Sequence, residues 1–418
     1  MKDKNNIIFL TSLILATYLV GSEMTYANEL FNFSEVDISK FPSFENIKDQ
    51  VPSDININDI DFDKINQNEI NLEEILKDNN LEQIIDQNIT NNIINHFNSA
   101  SDIKNSPFYN SSVLVSPIAA QVGTYFNMLE TYNNAFSQMD TFVIIPKTAR
   151  ELSNVEEKSG VWIRPYTSYD SVNLINGPRA HSTTYGTFIG GDSNVKTLNS
   201  GGKIVFSPYI SYQGNRIGYD NNTIFQNGGT LGFLGTYHKG SFFAGLTTAL
   251  GANVTEIQTP FANENFPMIT AGVAGKTGYN YEFKDGKYIL QPSFMMSYTM
   301  VNAFDNSDFY GMEFNSNTLH SIQLSPQLKF VMNTKTGWQP YLMVNMNWNL
   351  LDKAHVNINN IALDDMSVGP YVQYGGGIQK TIKDKLSLFI QIAIRNGSRT
   401  GLSANGGIKI FFGKKKKK

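Results

Sequence analysis

An alternation of apolar and polar residues, with a period of two, runs through residues 161–412, and few folds can satisfy it. It is clearest late in the sequence. In 288–300 the even positions are Tyr288, Leu290, Pro292, Phe294, Met296, Tyr298 and Met300, against Gln291, Ser293, Ser297 and Thr299. In 322–332 Ile322, Leu324, Leu328 and Phe330 alternate with Gln323, Ser325, Gln327 and Lys329. Residues 340–350 set Leu342, Val344, Met346 and Trp348 against Tyr341, Met343, Asn345, Asn347 and Asn349, and 386–394 set Leu388, Ile390, Ile392 and Ile394 against Ser387, Phe389, Gln391 and Ala393. Such a pattern puts each set on its own face of a strand. Each run is nine to thirteen residues long, about what a tilted strand needs to cross hydrocarbon. A soluble sandwich also alternates, but its strands average about five or six residues and its inner faces are bulky and apolar. Here the second face carries amides, hydroxyls and glycine, as an aqueous lumen wall does, and the first is unbroken apolar surface, as lipid demands.

Twelve strands are predicted, at 161–173, 183–192, 203–214, 228–238, 241–255, 267–284, 287–302, 319–333, 338–350, 366–381, 385–396 and 402–412. An even number brings both ends of the series to one side of the membrane. Short turns at Lys239-Gly240, Asp285-Gly286, Thr336-Gly337 and Asp384-Lys385 are expected to alternate with longer loops. Strands about 4.8 Å apart and tilted by about 40° close, at this number, into a cylinder about 24 Å across. Lining side chains then leave about 12 Å, the width of one α-helix. A candidate helix precedes the first strand. Ser116 suits an N-cap and Pro117 a first turn. Residues 118–136 are rich in small and amide side chains, poor material for a dry core and suited to polar, wet walls.

No run of eighteen apolar residues occurs, which argues against a helical membrane protein. Cysteine is absent, excluding disulfides, thiolate zinc sites and thiol catalysis. Lys2 and Lys4 followed by the apolar stretch Ile7 to Val20 and the small-residue site Thr25-Tyr26-Ala27 read as a signal peptide over residues 1–27. Residues 28–110 carry sixteen Asp or Glu against five Lys, a net of −11, with much Asn and Ile. Leu72, Ile75, Leu76, Ile84, Ile85, Ile89, Ile93 and Phe97 recur at helical spacing, so one amphipathic helix is expected over 71–97. The flanking sequence is linker-like, and no repeat of solenoid length is present.

Several segments taken together carry a family resemblance. They are Gly160-Val161-Trp162-Ile163-Arg164-Pro165-Tyr166, then Gly278-Tyr279-Asn280-Tyr281 followed by Tyr288-Ile289-Leu290-Gln291-Pro292, and a closing Gly406-Gly407-Ile408-Lys409-Ile410-Phe411-Phe412. In order and spacing, over about 300 residues including the helix, the chain resembles the autotransporter β-domain, the translocator of type V secretion. The resemblance implies an all-β fold, a twelve-stranded antiparallel transmembrane β-barrel with a pore-threading helix, located in the cell outer membrane. It divides the chain into a signal peptide (1–27), an acidic Asn/Ile-rich short passenger or linker (28–115), a linker helix (116–155), the barrel (156–413) and a lysine tail (414–418). The implied task is to deliver or hold residues 28–115 at the surface. The implied partners are outer-membrane lipid, the barrel assembly machinery and periplasmic chaperones. The family usually ends on an aromatic residue that the assembly machinery reads; here that role falls to Phe412, and Lys414–Lys418 read as a solvated tail rather than a nucleic-acid surface. Two rival readings are a porin-like channel plugged by its helix and a surface-displayed binding or adhesion protein. Protease accessibility of 28–115 on intact cells separates them.

Chemistry is sparse. His96, His181, His238, His320 and His355 are scattered without ligand spacing, so no metal site is expected, and no phosphate loop or cofactor motif occurs. Gly191-Asp192-Ser193 echoes an esterase core but lacks a nucleophile elbow and reads as a turn. Gly190-Gly191 and Gly375-Gly376-Gly377 suit kinks, bulges or close approach of the helix. Alternation points Arg164, Lys276, Glu282, Lys329, Arg395 and Lys409 into the lumen, where water and a helix carrying Glu130 make charge inexpensive. No enzymatic activity is expected. The family offers one exception, self-cleavage between adjacent asparagines of the threading helix, and Asn133-Asn134 loosely resembles such a site.

Overall fold

Twelve long strands pair in sequence order and close on themselves in the computed structural model. They are β1 Ser159–Ile175, β2 Arg179–Asp192, β3 Lys203–Tyr219, β4 Asn222–Lys239, β5 Phe242–Gln258, β6 Asn263–Tyr279, β7 Tyr288–Ala303, β8 Leu319–Met332, β9 Trp338–Asn349, β10 Tyr371–Ile382, β11 Leu386–Gly397 and β12 Arg399–Phe412. Every neighbouring pair is antiparallel, and β12 pairs with β1, from Ser159↔Phe412 to Val172↔Arg399. One helix, α1 Ser116–Val143, precedes them. The structure describes 115–143 and most of 159–412, leaving out 220–221, 259–262, 304–305, 310–311, 335, 351–352, 359–360, 363–364 and 383–384. The expected signal peptide, acidic segment, 71–97 helix, linker beyond Val143, Asp384 turn and lysine tail therefore lie outside the described residues. Contacts divide the chain into two units, Met1–Lys77 and Asp78–Lys418, and all described residues belong to the second.

The ladder fixes the size of the barrel. The register is constant along each pair of strands, and one full circuit along paired positions returns to β1 displaced by about 14 residues. Twelve strands with that stagger tilt by about 39° and give a backbone diameter of about 24 Å.

The surface is inverted relative to a soluble protein. Leu231, Phe233, Leu246, Leu250, Met296, Leu342, Ile390 and Ile392 all stand exposed on the outside of the wall. Their alternating neighbours, among them Gln291, Ser297, Gln323, Ser325 and Lys329, are buried inside. An exposed apolar face of this extent costs free energy in water and almost none in lipid.

Strand ends differ from the sequence reading in a consistent way. β4 begins at Asn222 rather than 228, β3 runs on to Tyr219 and β6 starts at Asn263. These extensions lie at the end of the barrel opposite Ser159 and Phe412, where β3 and β4 pair out to Tyr219↔Asn222. Past the hydrocarbon the outer face need not be apolar, so hydrogen bonding continues while the sequence signal stops. The tenth strand starts later than expected, at Tyr371, because Ser367–Val368 pairs instead with the end of β1. Connections at that end are also shorter than expected: Ile175 to Arg179 and Gly397 to Arg399 are tight hairpins, and only 304–318 and 350–370 are long.

Ile390 is 60% exposed on the outer face at mid-strand, whereas Gln391 points inward and accepts a hydrogen bond from Tyr341 Oη at 2.9 Å. An arginine facing lipid at mid-membrane costs about 2–4 kcal/mol. Ile390→Arg should therefore sharply reduce the fast-migrating, unboiled band on detergent gels, and Gln391→Arg should leave most of it. Equal yields from both would mean the faces are misassigned.

Candidate functional site

The lumen holds α1, and nearly all of it is buried. From Ser116 to Asp140 only Asn133 and Ser137 are partly exposed. The helix runs the length of the barrel. At one end the Ser116 hydroxyl lies 2.5 Å from that of Tyr219, the last residue of β3. At the other, Asp140 meets Lys276 and Lys329, near the ends of β6 and β8 on the Ser159 side.

The two sides of the helix meet different walls. Toward β2–β7 the contact is close and mixes apolar packing with hydrogen bonds, among them Gln213 Nε2 to Thr131 and Asn253 Nδ2 to Thr124. Val122, Tyr125, Phe126, Leu129, Tyr132 and Phe136 share one buried cluster with Phe188, Ile217, Ile224, Phe243, Ile257 and Met268. Wall amides reach helix carbonyls that a small side chain leaves open: Gln226 Nε2 donates to Ala120 O at 2.8 Å and Asn215 Nδ2 to Gly123 O at 3.2 Å. A Cβ at Gly123 would lie 2.5 Å from Gln226 and Ile217 atoms, so the helix sits tight against the wall there. Gly245 gives way likewise to Met139 and Phe136, and Gly272 to Tyr132. The glycine pairs noted in the sequence serve differently: Gly190 clears the Trp162 ring and Gly377 that of Tyr341, both within the wall. The amides and hydroxyls that the sequence points inward are there, and between them bulky apolar side chains such as Phe188, Phe243 and Met268 form part of the helix seat.

Toward β8–β12 and β1 the gap is polar. A cavity of about 60 Å³ lies there, bordered by Glu130, Asn133, Asp140, Gln327, Asn345 and Arg395. It is polar and has room for a few waters.

Two charge clusters tie helix to wall. In the first, Asp140 accepts from Lys276 at 3.0 Å and Lys329 at 2.6 Å, while Arg164 donates to Gln138 Oε1 at 2.8 Å and Ser137 O at 3.2 Å. Nearby Asp192 accepts from Gln138, Trp162 Nε1, Ser207 and Lys409. In the second, Glu130 accepts from Arg395 at 2.5 Å, with Arg399 at 3.6 Å, and Asp170 accepts from both arginines at 2.7 Å. Opposed charges this deeply placed must be paired, because an orphan would keep its full desolvation cost.

The structure thus brings Arg164, Lys276, Lys329, Arg395 and Lys409 into the lumen, all buried. Glu282 is the exception and a correction. It lies on the short strand Tyr281–Phe283 beyond the end of β6, opposite Ile289, and is exposed at the rim. Alternation gave its face, but the wall ends at Tyr279, so that face meets solvent. Asp170, Asp192, Asp140 and Arg399 were missed. Asp170 shares the inward even positions of Trp162, Arg164 and Tyr166, a signal that was available; Arg399 fell outside a strand begun too late. Asp192 ends β2 where the predicted strand ends, but its side chain is buried in the lumen, a placement not anticipated from the sequence; Ser193 beside it bonds Asn194 O and Phe206 N. Asn133 borders the cavity, and Asn134 Nδ2 donates to Glu130 O at 2.9 Å within regular helix. Phe412 closes β12 with its side chain exposed on the outer face.

At the far end the two long loops fold inward over α1. Gln121 Nε2 donates to Asn317 O at 3.0 Å, Tyr125 Oη to Asn349 Oδ1 at 2.8 Å, and Ala354, Met366 and Val368 join the buried cluster with Ile118. Beyond the membrane, slight burial of Asp365 is outweighed by hydrogen bonds from His355 at 2.9 Å and Lys353 at 3.2 Å, which hold its carboxyl below the usual range.

The sequence matches the family model of the autotransporter beta-domain over residues 161–393. Among solved structures, the β-domain of the Bordetella autotransporter BrkA aligns with TM-score 0.51 at 14% identity, covering 61% of this chain and 99% of that one. The transport unit of AIDA-I from Escherichia coli aligns with TM-score 0.51 at 15% identity, covering 61% and 90%. No curated protein matches the sequence.

Asp140→Ala leaves Lys276 and Lys329 buried without their helix partner. Breaking a dry buried pair costs about 3–5 kcal/mol, and water in the adjoining cavity reduces that here. The temperature at which the folded gel band is lost should drop for Asp140→Ala and largely recover in Asp140→Ala/Lys276→Met/Lys329→Met. A triple variant no more stable than the single one would contradict the pairing.

Proposed function

Because this chain belongs to the autotransporter β-domain family, outer-membrane translocators, we propose that the barrel exports its own residues 28–115 and holds them at the cell surface through α1. The observation that carries this reading is the direction of the helix. In outer-membrane barrels both ends of an even strand series face the periplasm and the longer loops face outward. Ser159, Phe412 and Asp140 share one end, while Ser116 and the long connections 304–318 and 350–370 share the other. A chain running from residue 115 back toward the signal peptide therefore leaves from the outer mouth.

The remaining parts fit this reading. Residues 1–27 direct export and are removed, periplasmic chaperones keep the strands apart in transit, and the assembly machinery reads the exposed Phe412 at the end of β12. The apolar outer band takes outer-membrane lipid as its partner. A channel reading is disfavoured because α1 lies along the lumen with nearly all of its described residues buried against the wall. The family is a secretion and transport domain.

Protease added to intact cells should remove 28–115; a segment that stays protected would put it in the periplasm and end the display reading. In planar bilayers the intact protein should conduct weakly, and deletion of Pro117–Asp140 should raise conductance several-fold while the heat-modifiable band persists. Equal conductance would mean the helix does not close the pore.

A further inference from the structure

The lumen charges do not balance. Among the described residues six buried cations line the wall, Arg164, Lys276, Lys329, Arg395, Arg399 and Lys409, against two buried wall anions, Asp170 and Asp192. The helix adds Glu130 and Asp140 and no cation. Counted over these buried, described residues, seating it leaves two positive charges in excess, and without it the wall carries four. Seating accounts for part of this, since Arg164 meets helix carbonyl and amide oxygens rather than a carboxylate. The net positive wall as a whole calls for an explanation beyond seating.

The chain that has to pass this wall supplies one. Residues 28–146 contain eighteen Asp or Glu and five Lys, with no basic residue between Lys104 and Lys147. From these observations we infer that the wall is matched to an acidic polypeptide: its cations draw in and carry the acidic segment during export, and α1 is the last portion of that segment to arrive. This inference rests on the translocator reading and names the class of chain the pore accepts. The wall is set in lipid, and a low-dielectric surround focuses the field of lining charges along the axis, raising the local concentration of a complementary chain. The cations are placed for both stages of passage. Arg164, Lys276, Lys329 and Lys409 stand near the periplasmic end, where a chain enters, and Arg395 and Arg399 stand toward the outer mouth. Lysine and arginine on flexible stems exchange one carboxylate for the next as the chain moves, and the last carboxylates to arrive, Glu130 and Asp140, remain bound.

The test is a charge cycle on the full chain in cells. The triple variant Lys276→Gln/Lys329→Gln/Asp140→Asn removes two wall cations together with their helix partner, so no buried charge is left unpaired. A second chain has the sixteen acidic residues of 28–110 changed to Asn or Gln. Pulse-chase with external protease reads how fast 28–115 becomes accessible, and the heat-modifiable band reports barrel folding. The triple variant should slow display several-fold for the acidic segment and little for the neutral one. On the parent barrel, the neutral segment should itself appear several-fold more slowly, a comparison that needs no wall substitution. Equal rates for acidic and neutral segments on the parent barrel, or equal slowing of both by the triple variant, would overturn the inference. A parent segment that never becomes accessible would overturn the translocator reading, and this inference with it.

Discussion

Hydrocarbon offers no hydrogen bond, so every backbone N–H and C=O at membrane depth must find its partner within the protein. A sheet meets that demand only by closing, and the β1–β12 pairing is where this one does. Closure with twelve strands and a fixed stagger sets the radius, the radius sets the lumen, and the lumen is as wide as one helix with side chains. The helix seat, the charge clusters and the inward-folded loops all follow from a cylinder whose dimensions the membrane imposes.

Inside that cylinder two demands compete. A pore that passes polypeptide benefits from polar, hydrated walls, and a pore at rest must be filled. The lumen answers with two sides: a close seat in which Phe188, Phe243 and Met268 pack and Gln213, Asn215 and Gln226 hydrogen-bond α1, and a looser polar gap under Gln327, Asn345 and Arg395. Specificity of seating comes from close approach at Gly123, Gly245 and Gly272 and from paired charge at Glu130 and Asp140. Apolar burial supplies much of the holding energy, and ion pairs in a wet gap mainly select position.

Much of this was legible in the sequence because lipid is an unforgiving solvent. Leu342, Ile390 and Phe330 must be apolar on the outside, so period two shows wherever strand meets hydrocarbon. Legibility fails where that pressure lifts. At Asn222–Asn227 the strand continues beyond the membrane with nothing to mark it. In β4 the inward face mixes Ile224 and Leu234 with Gln226 and Thr230, and glycine and asparagine interrupt the outer face that carries Leu231 and Phe233, so the contrast fades. Lumen cations could be placed by parity alone, which located Lys276 and Arg395 but misjudged Glu282, since parity assigns a face and does not say where the wall ends. Of the cations' partners, Asp140 lies on the helix, while Asp170 and Asp192 meet Arg395 and Lys409 from strands far apart in sequence, and only the closed ring brings them together.

The helix also has a polarity. Aligned peptide dipoles leave about half a negative charge at its C-terminal end. Its last turn carries no basic residue to meet that charge. The wall supplies them: Arg164, reaching the late carbonyl of Ser137, with Lys276, Lys329 and Lys409 nearby. The fifteen residues between Val143 and Ser159 can span up to about 50 Å, and a helix of 28 residues is about 42 Å long. The tether alone would therefore allow α1 to lie in the lumen either way round. Reversed, it would press the positive end of its macrodipole against four cations. Which way the chain points, and so which side of the membrane its beginning occupies, is written in the wall as an electrical direction.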